Sequence, residues 1–163
     1  MNITKFISDI IVKNVVRRYK RKGVIIGENT FISRKVFIDT HSGASVTIGN
    51  NCYITRNTII LNHTDTHVGG PLGLYRKYGS DRISKNVVIG NNVFVGVGSV
   101  IMPGIKIGDN AIVGAMSLVN KDVPKNTVYA GVPAKYICDV NEMLKKDFNN
   151  FDIHSWNKEI GGI

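Results

Sequence analysis

The sequence predicts an all-β protein built as a parallel β-helix, and three observations carry that reading. A short phrase, Ile-Gly-acidic/amide-Asn, occurs four times: Ile26-Gly27-Glu28-Asn29, Ile48-Gly49-Asn50-Asn51, Ile89-Gly90-Asn91-Asn92 and Ile107-Gly108-Asp109-Asn110. The last two copies start 18 residues apart, and the earlier gaps of 22 and 41 exceed that spacing by four and 23. Between the copies, aliphatic residues recur every sixth position: Ile26, Ile32 and Ile38, then Ile48, Ile54 and Ile60, then Ile89, Val95, Ile101, Ile107, Val113 and Val119. A fixed period marks a repeat architecture, and a hexad is the unit of a parallel β-helix, three hexads closing one triangular coil. The chain therefore holds about four to five coils, two of them carrying insertions.

Each hexad is readable residue by residue. The aliphatic first position points into the prism. Four places later stands a small or β-branched residue that shares the narrow interior: Thr30, Val36, Ser42, Cys52, Thr58, Val93, Ser99, Ala111, Ser117 and Val123. Gly and Asn lie between them, the residues that most readily take positive φ at a sharp corner. Helical periodicity is absent from this region.

Before the coils, residues 1 to 22 place Ile3, Phe6, Ile7, Ile10, Ile11, Val15 and Tyr19 at helical spacing, predicting an amphipathic helix that caps the open end. It also holds much of the net charge of +9, with Lys5, Lys13, Arg17, Arg18, Lys20, Arg21 and Lys22 against Asp9 alone. A basic amphipathic helix suits peripheral contact with an anionic membrane or a phosphorylated acceptor. Nucleic acid is not expected as a partner, because no aromatic platform or recognition motif accompanies the charge.

The hexads, together with the segment from Val123-Pro124-Lys125 to Gly131-Val132-Pro133-Ala134-Lys135, resemble the hexapeptide-repeat acyltransferases over roughly residues 23 to 138. That resemblance implies the left-handed form of the β-helix, which the general preference for right-handed crossovers would not suggest. It also implies acetyl-CoA as co-substrate and a homotrimer with active sites between adjacent prisms. The basic N-terminal helix running directly into Gly23-Val24-Ile25-Ile26-Gly27 is most similar to the small O-acetyltransferases of surface-polysaccharide assembly, which implies a sugar hydroxyl as acceptor. The antibiotic-modifying branch, with chloramphenicol- or streptogramin-type acceptors, shares the length and the coils, and an amine acceptor stays open.

The chemistry is expected where the repeat breaks. After Ile60 the pattern stops, and Leu61-Asn62-His63-Thr64-Asp65-Thr66-His67 opens an inserted loop over residues 62–85 before Val87-Val88-Ile89 resumes the coils. Long loops in compact domains are usually functional. An alcohol attacks a thioester well only while its proton is being removed, and a neutral imidazole is suited to that task. In the family the catalytic histidine follows the last strand before the loop, the place of His63, which makes His63 the general base. Other branches set it nearer His67, here assigned to the substrate side. Asp65, or equally a backbone carbonyl, would orient the ring through Nδ1.

For the co-substrate, the resemblance implies backbone contacts to the pantetheine arm at Val97 and at Ala115, 18 residues further on. It implies Asn120 and Lys121 near the nucleotide and Lys135 at the phosphates, which require cations or N–H donors. Relatives often carry a second cation three residues after that lysine, where this chain has Cys138.

Composition fits one 163-residue domain with 43% hydrophobic residues, no run near the roughly 20 apolar residues of a membrane span, and no signal-peptide pattern, so the expected location is cytoplasmic. Cys52 and Cys138 read as free thiols. No metal is expected: a zinc hydratase on this fold needs three imidazoles, and His41, His63, His67 and His154 lack the family's ligand spacing of five. Past residue 138, Asp139 to Phe148 favours a helix, and Phe151, Ile153 and Trp156 suggest a tail that packs on a neighbour.

Overall fold

A computed structural model describes residues 13–41, 43–64 and 83–148. The first coil is β1 (Ile25–Ile26), β2 (Phe31–Ile32) and β3 (Phe37–Ile38), and the second is β4 (Val46–Ile48), β5 (Tyr53–Ile54) and β6 (Ile59–Ile60). An excursion follows whose ends are β7 (His63–Thr64) and β8 (Ile83–Ser84). The third coil is β9 (Val87–Ile89), β10 (Phe94–Val95) and β11 (Val100–Ile101), and the fourth is β12 (Lys106–Ile107), β13 (Ile112–Val113) and β14 (Leu118–Val119). Above them come β15 (Thr127–Ala130), β16 (Lys135–Asp139) and a helix over Val140–Phe148.

The strands stack as three parallel sheets, the faces of a prism. Face one is β1-β4-β9-β12, face three is β3-β6-β11-β14, and face two is β2-β5-β10-β13-β15 with β16 returning antiparallel at the top. The register is the one that the hexads require. Ile26 lies beside Ile48, Ile48 beside Ile89, and Ile89 beside Ile107, so that spacings of 22, 41 and 18 residues all resolve to one coil without slippage. Both insertions are therefore extruded at a corner while the aliphatic columns stay aligned.

Those columns are the core. Ile32, Ile54, Ile60, Val95, Ile101, Val113 and Val119 are fully buried, and each such side chain contributes about 1.5–3 kcal/mol relative to exposure. Cys52, Thr58, Ser99, Ala111 and Ser117 fill the interior beside them. Ser42 lies outside the described residues.

The corners explain the Gly-Asn pairs. Asn29, Asn51, Asn92, Asn110 and Asn126 all take positive φ, between 53° and 61°. The last four side chains form a ladder, Asn51 Nδ2 donating to Asn92 Oδ1, Asn92 to Asn110 and Asn110 to Asn126 at 2.8–3.2 Å. Beside it the glycines allow coils to approach: a Cβ on Gly49 would lie 2.6 Å from Gly90 O.

Residues 13–21 are helical and form α1. Val15 and Tyr19 are buried, and the Tyr19 hydroxyl donates to Val36 O and accepts from Ile38 N, which seats the helix on the first coil. Residues 1–12 of the segment expected to cap the prism lie outside the described residues. The predicted tail residues Phe151, Ile153 and Trp156 are likewise outside, as is His154.

Candidate active site

Residue Asp39 follows β3, one coil beneath the segment that follows β6. Its backbone N–H donates to Ile60 O at 2.8 Å, which brings its side chain beneath the start of the excursion. There Asp39 Oδ2 contacts His63 Nδ1 and accepts from Asn62 N at 3.4 Å, while Oδ1 accepts from His41 N at 3.2 Å. The carboxylate is mostly buried and the imidazole about one-quarter exposed.

Asn62 completes the arrangement. It is fully buried, and its Nδ2 donates to His41 O at 3.0 Å and Ala44 O at 2.9 Å, pinning the four-residue excess of the first coil against the excursion. With Nδ2 committed to two carbonyls, Oδ1 faces the ring, 3.4 Å from His63 Nδ1. Both oxygens beside Nδ1 are acceptors, so the neutral imidazole carries its proton there and its lone pair on Nε2. The ring of His41 lies 4.5 Å from that of His63, tilted by 42°.

β7 and β8 pair antiparallel, His63 opposite Ser84, and Lys85 N donates to Asn62 O at 2.9 Å. The excursion therefore leaves and re-enters the prism as a ribbon rooted at the histidine. Asp65 and His67 lie outside the described residues, and the carboxylate seen against Nδ1 is that of Asp39. Neither Asp39 nor His41 stands out in the sequence as a site residue. The usable signal is the spacing of 22 between the first two Ile-Gly phrases, which places an extra four residues one coil below the larger break.

The residues expected to meet the co-substrate fall on two edges of face three. Val97 and Ala115 occupy stacked corners before β11 and β14: Met116 N donates to Val97 O at 2.8 Å, and a Cβ on Gly96 would lie 2.7 Å from Ala115 Cα. Above them the turn leading to Lys135 is tied to the same face, Leu118 N donating to Gly131 O and Ala134 N to Leu118 O. Asn120 and Lys121 follow β14 at the opposite edge, the edge from which His63 leaves β6 two coils lower. Val97, Ala115, Asn120, Lys121 and Lys135 are all solvent-exposed. One chain thus brings Val97 together with Ala115, and sets His63 across face three from both.

Cys52 takes no part in this site. Its thiol donates to Gly90 O at 3.0 Å in the core, and burial pushes its pKa up, so it stays protonated. Among the described residues no three His, Cys, Asp or Glu side chains form a group able to hold a metal ion, and no helix is long and apolar enough to cross a membrane.

The chain is thus a three-sided parallel β-helix with a histidine–carboxylate pair rooted at a break in the repeat. The bacterial transferase hexapeptide family, six repeats, matches residues 86–121. The galactoside O-acetyltransferase of Lactococcus lactis is 33% identical over 143 residues, covering 78% of this chain and 67% of that protein. A hexapeptide-repeat acetyltransferase from Vibrio cholerae superposes with a TM-score of 0.60 at 33% identity, over 71% of this chain and 61% of that one. A galactoside acetyltransferase solved with coenzyme A gives 0.54 at 29% identity, over 74% and 66%. The chain belongs to the hexapeptide-repeat transferase family, and its fold is the left-handed parallel β-helix. It spans about a quarter to two thirds of the length of the curated relatives it matches.

Proposed function

We propose that the protein transfers an acetyl group from acetyl-CoA to a hydroxyl of a sugar, with His63 as the general base. The observation that carries the reading is the placement of His63 Nδ1 between two acceptor oxygens, Asp39 Oδ2 and Asn62 Oδ1, which assigns the basic lone pair to Nε2.

The acceptor oxygen attacks the carbonyl carbon of the thioester as Nε2 takes its proton, and Asp39 stabilises the imidazolium that forms. A backbone N–H facing the thioester supports the oxyanion. Collapse breaks the C–S bond, and the departing CoA thiolate recovers the proton from the ring. No covalent enzyme intermediate is involved. Val97 and Ala115 offer backbone groups to the pantetheine arm, Asn120 and Lys121 sit toward the nucleotide, and Lys135 meets the phosphates.

Acyl donor and base are joined between chains in this reading. His63 and the Val97–Ala115 corners lie at opposite edges of face three, so a neighbouring prism packed on that face unites one chain's base with the next chain's cofactor groove. The outward row of that face, Phe37, Ile59, Val100 and Leu118, is apolar, with Phe37 54% exposed, which supports a homotrimer that covers it.

Thiol release from acetyl-CoA, measured against a panel of galactosides, other sugars, amino sugars and chloramphenicol, tests the proposal. Release driven by a sugar hydroxyl supports it. Release with chloramphenicol alone, or with amines alone, replaces the acceptor, and absence of both release and CoA binding overturns the activity.

A further inference from the structure

The base of the prism carries a feature that the catalytic reading does not use. α1 turns Val15 and Tyr19 into the first coil, with Val16 half-buried between them, while Lys13, Arg17, Arg18, Lys20 and Arg21, and Lys22 just beyond, are all exposed. At 100° per residue the five cations within α1 span about 160° of the helix circumference. Arg34 and Lys35 continue the patch at the corner that precedes β3, and Arg56 stands one coil above, where Asn57 N donates to Lys35 O at 3.2 Å. Glu28 is the one carboxylate among residues 13–38. The ion pair found among the described residues is that of Asp39 with His63, so no described carboxylate neutralises these cations.

We propose that this face, the outer side of α1 with Arg34, Lys35 and Arg56, docks the prism end-on to an anionic membrane surface. A packed fold gains nothing from concentrating like charges on one end, since they repel one another and are well solvated without a partner. Clusters of four to eight basic residues on an amphipathic helix are attracted to an anionic leaflet, each acting within a Debye length of the surface. The apolar side of α1 is already spent on Val36 and Ile38 of the first coil, so the described helix adsorbs by charge and does not insert. The alternative of a nucleic acid is disfavoured because Tyr19, the one aromatic residue of α1, is buried, leaving no stacking surface on the helix itself. Docking this end directs the axis of the prism away from the surface.

Vesicle co-sedimentation of the full chain tests the assignment, with phosphatidylcholine vesicles and with vesicles containing phosphatidylglycerol, at low and at high salt. The expected result is association with the anionic vesicles alone, lost at high salt. It should weaken at least about tenfold in the double variant Arg17→Glu, Arg21→Glu, with far-UV circular dichroism and acetyl transfer unchanged. Equal binding to both vesicle types, or wild-type binding by the double variant, overturns the proposal. So does absence of vesicle binding, including a case in which the protein is retained only by nucleic acid.

Discussion

The carboxylate of Asp39 rests against Nδ1 of His63 across 24 residues of sequence, because one follows a strand of the first coil and the other begins the excursion from the second. The contact is a product of stacking. The segments that follow β3 and β6 on the same edge of face three are brought one above the other by the parallel register, and Asn62 ties them together. In the proposed mechanism, that register positions the catalytic base.

Removing the charge of Asp39 should slow the reaction while leaving cofactor binding intact. In Asp39→Asn the ring loses the group that favours Nδ1–H and stabilises the imidazolium. kcat is expected to fall, by no more than the roughly 10²- to 10⁴-fold that a general base contributes. Steady-state kinetics beside CoA titration calorimetry checks this, and an unchanged kcat removes Asp39 from the mechanism.

Asn62→Ala should affect stability as well as rate. It withdraws the donor from His41 O and Ala44 O and empties a fully buried position. A cost of about 1–3 kcal/mol is expected in urea unfolding, from the desolvation penalty of groups left without partners.

The corner asparagines predict an order between two substitutions. Asn110 has a φ of 58° and belongs to the amide ladder. Asn110→Gly loses the ladder alone, whereas Asn110→Ala also places an ordinary side chain in the left-handed region, at about 1–2 kcal/mol. Thermal unfolding should therefore rank wild type above Gly and Gly above Ala; Ala equal to Gly would mean that the backbone conformation carries no cost.

In the core, Ile101 is fully buried in one aliphatic column, stacked between Ile60 and Val119. Ile101→Val should cost about 0.5–1.5 kcal/mol and Ile101→Ala about 2–5 kcal/mol. Denaturant unfolding measures both.

The two thiols should differ in reactivity and in their link to pH. Burial raises the pKa of Cys52, so the folded chain keeps that proton at a pH where the unfolded chain has begun to release it. The sign follows: this contribution to stability is present below the unfolded-state pKa and is lost as the pH rises through the folded one. At mildly alkaline pH a disulfide reagent should titrate the half-buried Cys138 first and reach Cys52 on unfolding. Equal rates would contradict the interior placement.

Much of the solenoid was legible because its determinants are local. Ile32, Ile54, Val95 and Val113 announce themselves by size and by a period of six, and Asn at positive φ follows from residue type alone. Asp39 was not legible in the same way. Its role depends on which residue lies above it after folding, and the excess of four residues in the first coil hid that register until the coils were stacked. The antiparallel return of β16 was equally hidden: nothing in the hexad pattern marks Lys135–Asp139 as a strand, yet Gly131, at φ 100°, turns the chain back along β15. The co-substrate positions came from resemblance alone, and their division between two edges of face three emerged from the topology.

Everything proposed for the chemistry depends on the imidazole of His63 removing the proton of the acceptor hydroxyl. The decisive experiment is thiol release by His63→Ala at saturating acetyl-CoA and acceptor, with CoA affinity measured on the same preparation. The rate should drop by about 10²- to 10⁴-fold at unchanged CoA affinity. A wild-type rate from that variant would contradict the assignment of His63 as the base.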